Sequence, residues 1–155
     1  MKKYELTEET VTVFGKTLYR IRAVRDFGSV KTGEFGGYIE KEENLSHFGN
    51  AWIYGDAWVF GDARVSGNAW VYGNAEVFNT RHFFVQGPIG SRDGYVTFYR
   101  TKDDTIGVRC GCFSGSLQKF VDRVEETHGG SRYEKEYKIA AELAKVCIRL
   151  EGESR

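Results

Sequence analysis

Apolar side chains recur at intervals of six residues through the middle of the chain, between residues 49 and 78. The sequence GNAWIYGDAWVFGDARVSGNAWVYGNAEVF repeats the phrase Gly-(Asn/Asp)-Ala-x-(Val/Ile)-x five times. Alternate side chains of a strand point to opposite faces, so the alanine and the branched residue of each hexad share one face. Glycine followed by Asn or Asp suits a corner, because these residues accept left-handed conformations. The pattern predicts short strands that bury alanine and valine and meet at tight corners.

The six-residue period extends towards the N-terminus in degenerate form, through GYIEKE at 37–42 and ENLSHF at 43–48. A period of six is too short for a helix–turn–helix repeat and does not fit a heptad, but it fits the hexapeptide class of β-helix. We therefore assign residues 31–78 to the repeat region.

The first 30 residues carry a different pattern. TVTVF and TLYRIRAV alternate apolar and polar residues, and Gly15-Lys16 between them suits a short turn. Residues 1–30 are thus predicted to form a strand pair.

Residues 79–155 change composition again. HFFVQGPI, YVTFYRT and IGVRCGCF read as three strands, followed by two amphipathic segments, LQKFVDRVEETH and YEKEYKIAAELAKVCIRL. Ser116 is a suitable N-cap for the first helix. We predict a three-stranded sheet carrying two helices, an α+β cap that covers the open end of the repeats.

The hexads resemble the left-handed β-helix proteins of the hexapeptide-repeat family, which includes many acyltransferases. The match lies in pairs such as Val59/Ala63 and Val65/Ala69, an aliphatic residue followed four places later by a small one. The layout, including LYRIRAVRDFGSVKTGEFGGYIEKEENLS, also resembles short bacterial and phage proteins described as transferases or polymer-forming proteins. The resemblance implies a mainly β fold with a short left-handed parallel β-helix, and a homotrimer.

Composition narrows the class of protein. Lys plus Arg (22) equals Asp plus Glu (22), which argues against binding nucleic acid through a bulk basic field. No segment has the roughly 20 apolar residues that span a bilayer, so no membrane association is expected. Three cysteines without framework spacing indicate a reducing compartment, so a cytoplasmic location is expected. The resemblance implies that this is the cytoplasm of a bacterium or of a phage-infected host.

An aromatic surface is the main candidate site. If residues eighteen apart stack at about 4.8 Å, the fourth and sixth places of the hexads form an outward ladder. Aromatic ladders of this size suit a subunit contact, or a groove in which rings stack on a flat ligand while an arginine pairs with phosphate. The predicted ligand or interface residues are Trp52, Tyr54, Trp58, Arg64, Trp70 and Tyr72.

Two loops suggest a small anion site. GPIGSRDG at 87–94 is rich in glycine, and GCFSGSL at 111–117 opens a helix, whose N-terminus favours anions. If the loops meet, Arg92, Ser114 and Ser116 would hold the anion. Cys110 and Cys112 lack the further ligands of a zinc site, so no metal is expected.

Two functional hypotheses remain open. The first is a non-catalytic homotrimeric binding or scaffold protein, which takes a nucleotide-like ligand or a host protein in a phage counter-defence role. It needs no cofactor and no catalytic residue. The alternative is an acyltransferase that uses acetyl-CoA, and His47, the one histidine of the repeats, is its candidate base. We favour binding over catalysis, because a fold does not establish an activity.

Overall fold

A computed structural model describes residues 2–151. They form two compact units, and the boundary along the chain lies between Thr80 and Arg81. The first unit contains seven strands: β1 (Tyr4–Val13), β2 (Lys16–Ala23), β3 (Phe35–Ile39), β4 (Trp52–Ile53), β5 (Trp58–Val59), β6 (Trp70–Val71) and β7 (Glu76–Val77). The second contains β8 (Phe83–Ile89), β9 (Gly94–Arg100), β10 (Ile106–Cys110), β11 (Phe113–Ser116), α1 (Leu117–His128) and α2 (Arg132–Cys147). No described helix combines the length and the apolar character needed to cross a membrane.

The hexads build the core of the first unit as the alternation predicts. Their alanines and branched residues have no exposed surface: Ala51, Ile53, Ala57, Val59, Ala63, Val65, Ala69, Val71, Ala75 and Val77. Each hexad begins at a glycine with positive φ, between 62° and 71° in Gly49, Gly55, Gly61, Gly67 and Gly73. The period also sets the pairing, because Trp52 pairs with Trp70 and Trp58 with Glu76, eighteen residues on.

The prediction of a left-handed parallel β-helix over residues 31–78 is wrong. The hexads form strands of two residues, and these strands are divided between two sheets. β5 and β7 extend a mixed five-stranded sheet in the order β1-β2-β3-β5-β7, which is antiparallel from β1 to β3 and parallel from β3 to β7. β4 and β6 form a separate parallel pair. The glycine corners end each strand early, and the β1–β2 hairpin supplies an antiparallel edge that the repeat alone does not predict.

The N-terminal hairpin forms, but it is longer than predicted. β1 begins at Tyr4 rather than at Thr10, and the turn lies at Phe14 and Gly15, which both have positive φ. β1 and β2 are antiparallel: Tyr4 pairs with Ala23 at one end and Val13 pairs with Lys16 at the other. The register shifts between Leu6 and Thr10.

The sheet of the second unit has four strands rather than the predicted three. It is antiparallel in the order β11-β10-β9-β8. The sequence predicts one strand over IGVRCGCF, but a turn at Gly111, where φ is 56°, divides it into β10 and β11. The first helix has the predicted bounds, and the Ser116 hydroxyl accepts a hydrogen bond from the Lys119 amide as its N-cap.

Both helices pack against the sheet of the second unit. Phe98 and Val108 of the sheet meet Phe120 of α1 and Ala140 and Ala144 of α2 in one buried cluster. Phe120 contacts Phe98 and Tyr137 edge to face, at centroid distances of 5.9 Å and 5.7 Å. This core accounts for the apolar stripe that the sequence predicts on each helix.

Candidate functional site

A buried cluster with both charged and aromatic members lies in the first unit, around the ring of Phe27. Lys3 directly precedes β1, Arg25 follows β2, and Trp52 opens β4. The Lys3 ammonium lies 4.8 Å from the centroid of the Phe27 ring, and the Arg25 guanidinium carbon 5.7 Å from it. The Trp52 ring meets Phe27 edge to face at 5.2 Å. We call Lys3, Arg25, Phe27 and Trp52 the Phe27 cluster.

Lys3 is held inside the unit at both ends. Its side chain has no exposed surface, and its ammonium donates to the carbonyl oxygen of Ala51 at 2.6 Å. Its backbone carbonyl accepts a hydrogen bond from Val24. Burial, and secondly the charge of Arg25, lowers the Lys3 pKa to about 8. Burying this cation costs free energy that the apolar contacts of the cluster must offset.

His47 lies beside this cluster and both of its ring nitrogens are engaged. The backbone N–H of Lys3 donates to Nδ1 at 3.0 Å, so Nδ1 carries no proton. The proton of the neutral ring is then on Nε2, which lies 2.9 Å from a carboxylate oxygen of Glu42. The ring stacks on Tyr4 with 4.1 Å between centroids. In this arrangement, neither nitrogen of His47 is open to accept a proton from a substrate.

The other histidines occupy the second unit. His82 is buried, and its pKa is lowered to about 4 by burial and then by the charge of Arg100. His128, at the end of α1, contacts the rings of Tyr133 and Tyr137 at 5.9 Å and 5.6 Å. Cys110 is half-buried, and burial raises the pKa of its thiol. A thiol with a raised pKa is a poor nucleophile near neutral pH.

The six residues of the predicted aromatic surface do not form one ladder. Trp52 was predicted to point outward, and this is wrong: its ring is fully buried against Phe27 and Tyr4. Trp58 packs instead on the cluster formed by Val13, Leu18 and Phe60.

Three of the remaining predicted residues, Tyr54, Trp70 and Tyr72, lie together, and the fourth is Arg64. Tyr54 contacts the rings of Trp70 and Tyr72 at 6.0 Å and 5.9 Å, and all three are half-buried. Arg64 is exposed. That these residues contact a ligand or a subunit stays a prediction.

The predicted anion site is not assembled. Arg92 lies in the turn between β8 and β9, while Ser114 and Ser116 lie on β11, at the opposite edge of the same sheet. The turn that carries Arg92 lies two to three strand spacings from β11, about 10–14 Å. The neighbours of the first loop come instead from α2, because the Gly90 amide donates to the Glu136 carboxylate at 2.7 Å. The Ser116 hydroxyl already caps α1.

An ion-pair network that the sequence did not indicate joins the hairpin to the repeats. The Arg20 guanidinium on β2 contacts Glu9 at 2.9 Å and Asp56 at 2.8 Å. It also donates to the Gly36 carbonyl and the Tyr38 hydroxyl. The hydrogen bond from Tyr38, and next the one from Arg20, hold the Glu9 pKa below its usual value.

Sequence reasoning also missed Lys3 and Arg25. Each lies beside a strand end, where alternation gives no signal, and a lysine near the N-terminus is ordinarily solvated. The run of two lysines before the apolar Tyr4 was the available indication. Only the distant segments that supply Phe27 and Trp52 turn Lys3 into a buried group.

An exposed apolar stripe runs along α2. Ile139, Leu143 and Val146 follow one another at spacings of four and three residues, which places them on one helix face. They are 68%, 42% and 67% exposed, while Ala140 and Ala144 on the opposite side are buried in the core. We call Ile139, Leu143 and Val146 the α2 stripe.

The first unit is mainly β, with one mixed sheet and one parallel pair of strands. No family model matches the chain. The chain is similar to the uncharacterized acetyltransferase YdcK of Escherichia coli (strain K12), with 39% identity over 62 residues. The match takes in 35% of this chain and spans 19% of that protein. This similarity hints at a hexapeptide-repeat transferase family and does not reach the extent that would establish membership.

Proposed function

We propose that the protein is a non-catalytic scaffold that acts as a homodimer, with the α2 stripe as the contact between copies. The observation that carries the proposal is the exposure of three large aliphatic side chains on one face of α2. Contiguous apolar surface on a folded protein is typical of an interaction site. When a helix face packs against the same face of a second copy across a two-fold axis, the assembly closes at two chains.

The charges that flank the stripe suit such a contact. Lys145 pairs with Glu142 at 3.1 Å, and Lys138 pairs with Glu125 and Glu134, so the polar sides of α2 are neutralised within the chain. A stable interface buries about 800 Å² on each partner, which is more than three side chains supply. Residues around the stripe must therefore contribute, and we expect an affinity in the micromolar range rather than a permanent complex.

The geometry of His47 supports a role without catalysis. A histidine that activates an acceptor needs one nitrogen free to face the substrate. Nδ1 of His47 instead accepts the Lys3 amide and Nε2 contacts Glu42. The trimer implied by the family resemblance rested on a parallel β-helix, so we propose the dimer in its place. Nothing in the structure or the similarity supports a phage origin or a counter-defence role, and we propose neither.

Paired substitutions on α2 test the dimer. Ile139→Gln combined with Val146→Gln replaces the two most exposed side chains of the stripe with a good helix former. Lys119→Gln, at an exposed position of α1 rather than α2, is the matched control. Size-exclusion chromatography with light scattering should give a dimer mass for the native chain and the control, and the mass of one chain, 17.6 kDa, for the double variant. A double variant with the native mass would show that the stripe is not the interface.

Acetyl transfer is the second candidate, favoured by the similarity to the uncharacterized acetyltransferase YdcK. Its test is the release of free CoA thiol from acetyl-CoA in the presence of amine and hydroxyl acceptors. On the scaffold proposal, the protein releases no thiol above the rate without enzyme. Release that His47→Gln abolishes, in a variant that remains folded, would establish the second candidate instead.

A further inference from the structure

The Phe27 cluster brings hydrogen-bond donors from three distant segments to one aromatic ring. The Lys3 ammonium, the Arg25 guanidinium and the Trp52 ring all lie within 5.7 Å of the Phe27 centroid. Lys3 and Arg25 are 22 residues apart and come from the two outer ends of the β1–β2 hairpin. Ammonium, guanidinium and indole nitrogens are donors only, so the cluster is rich in donors.

Two cations in the cluster have no acidic partner. Within residues 2–151, the polar contacts of both side chains go to backbone carbonyl oxygens: Lys3 donates to Ala51, and Arg25 donates to His47 at 3.1 Å. Glu42, an acid near the cluster, is engaged by Lys2 at 3.4 Å and by the His47 ring. The cluster therefore holds two positive charges at low exposure, with no described carboxylate to balance them.

Two of the donors lack an acceptor. Nε of Arg25 and Nε1 of Trp52 are buried without a hydrogen-bond partner in the described part of the chain. The Trp52 side chain is completely buried, so its indole N–H cannot reach bulk water. A buried donor without an acceptor is costly, and native proteins rarely keep two in one place.

We propose that the Phe27 cluster binds a small oxyanion, a carboxylate or phosphate group that accepts hydrogen bonds from Trp52 Nε1, Arg25 Nε and the Lys3 ammonium. An oxyanion supplies several acceptor lone pairs and the negative charge that the cluster lacks. Arg25 is half-buried, so it is the member through which the group enters. Because Lys3 and Trp52 are fully enclosed, the site accepts an anionic group and not a large ligand.

The protonation of Lys3 makes the binding depend on pH. Its pKa of about 8 results from burial and from the Arg25 charge, and a bound anion favours the charged ammonium. Affinity for the anion is then highest below pH 8 and falls as the pH rises through 8 and Lys3 loses its proton. The inference does not depend on the proposed dimer, since α2 contributes none of these residues.

Titration of the full chain with sodium acetate and, separately, with sodium phosphate tests the site. The readout is the indole N–H signal of Trp52 in a ¹H–¹⁵N spectrum, assigned with Trp52→Phe among the three tryptophan signals. Sodium chloride at matched ionic strength is the control for screening. We expect a saturable shift of the Trp52 signal with acetate, phosphate or both, and the comparison tells which oxyanion the site prefers.

Variants decide whether the cluster is responsible. Arg25→Gln should weaken binding by roughly tenfold or more, because a charged hydrogen bond is lost. Arg22→Gln, at an exposed arginine paired with Glu5, should bind as the native chain does. For acetate, the native affinity should drop roughly tenfold between pH 7 and pH 9.5 as Lys3 is neutralised. The Trp58 and Trp70 signals report folding in each variant.

Two results would overturn the proposal. One is the lack of a saturable shift in the native chain, which means that water alone satisfies these donors. The other is an equal shift in native protein and in folded Arg25→Gln, which means an adventitious ion only.

Discussion

His82 is a buried imidazole whose protonation opposes folding. It is 4% exposed, and its pKa is lowered to about 4 by burial and by nearby Arg100. In the unfolded chain a histidine titrates near pH 6.5. Between pH 6.5 and pH 4 the unfolded state therefore takes up a proton before the folded state does. The stability that His82 allows at neutral pH is lost as the pH falls through this window.

We expect the free energy of unfolding to fall more steeply in the native chain than in His82→Asn over this range. Between neutral pH and pH 4, the native chain should lose about 3 kcal/mol more of its free energy of unfolding than His82→Asn loses. Urea unfolding at a series of pH values measures it. Parallel pH profiles for the two proteins would show that burial does not hold this histidine neutral.

The glycines at the corners of the hexads all have positive φ, but the space around each glycine differs. Gly61 and Gly67 have φ of 62° and 67°. A Cβ on Gly61 would lie 2.7 Å from the carbonyl oxygen of Phe78, whereas a Cβ on Gly67 would have nothing within 4 Å. Alanine at either corner meets backbone strain, and only alanine at Gly61 also meets a steric clash.

Gly67→Ala should lower the free energy of unfolding by about 1–2 kcal/mol, the cost of the left-handed conformation for a residue with Cβ. Gly61→Ala should cost roughly 1–3 kcal/mol more, because the backbone near Phe78 must shift. Thermal or urea unfolding of the two variants gives the comparison directly. Equal losses would mean that the corner at Gly61 is not as tightly packed as described.

The hexad period predicts backbone register and core residues, but not which outer faces other segments cover. Trp52 and Trp70 occupy the same place in their hexads and pair across β4 and β6. Trp52 is nevertheless buried, because Phe27 and Tyr4, from outside the repeats, pack on it. The mixed sheet was not predicted for the same reason. β2 of the N-terminal hairpin pairs with β3, which adds antiparallel strands to the parallel strands β3, β5 and β7.

The candidate sites were less predictable than the fold elements. The anion site assumed that two loops meet, but sheet order places Arg92 and Ser116 at opposite edges. The Phe27 cluster depends on contacts between residues 3, 25, 27 and 52, for which one sequence carries no pairing signal. The bounds of α1 were predicted correctly, because an N-cap and a helical stripe are local features. The second helix was predicted to run to Leu150 and ends at Cys147.

For the molecule as a whole, the state of His47 and the exposed α2 stripe bear on the same proposal. The His47 ring is engaged at both nitrogens, and the α2 stripe leaves apolar surface exposed. These two features are the observations on which the proposed homodimer rests. Because the interface is small, the dimer should dissociate on dilution.

Sedimentation equilibrium of the native chain across the micromolar range measures the mass that distinguishes the proposed dimer from a single chain. The mean mass should rise with concentration from 17.6 kDa towards twice that value. A mass of 17.6 kDa at every concentration would contradict the proposed dimer.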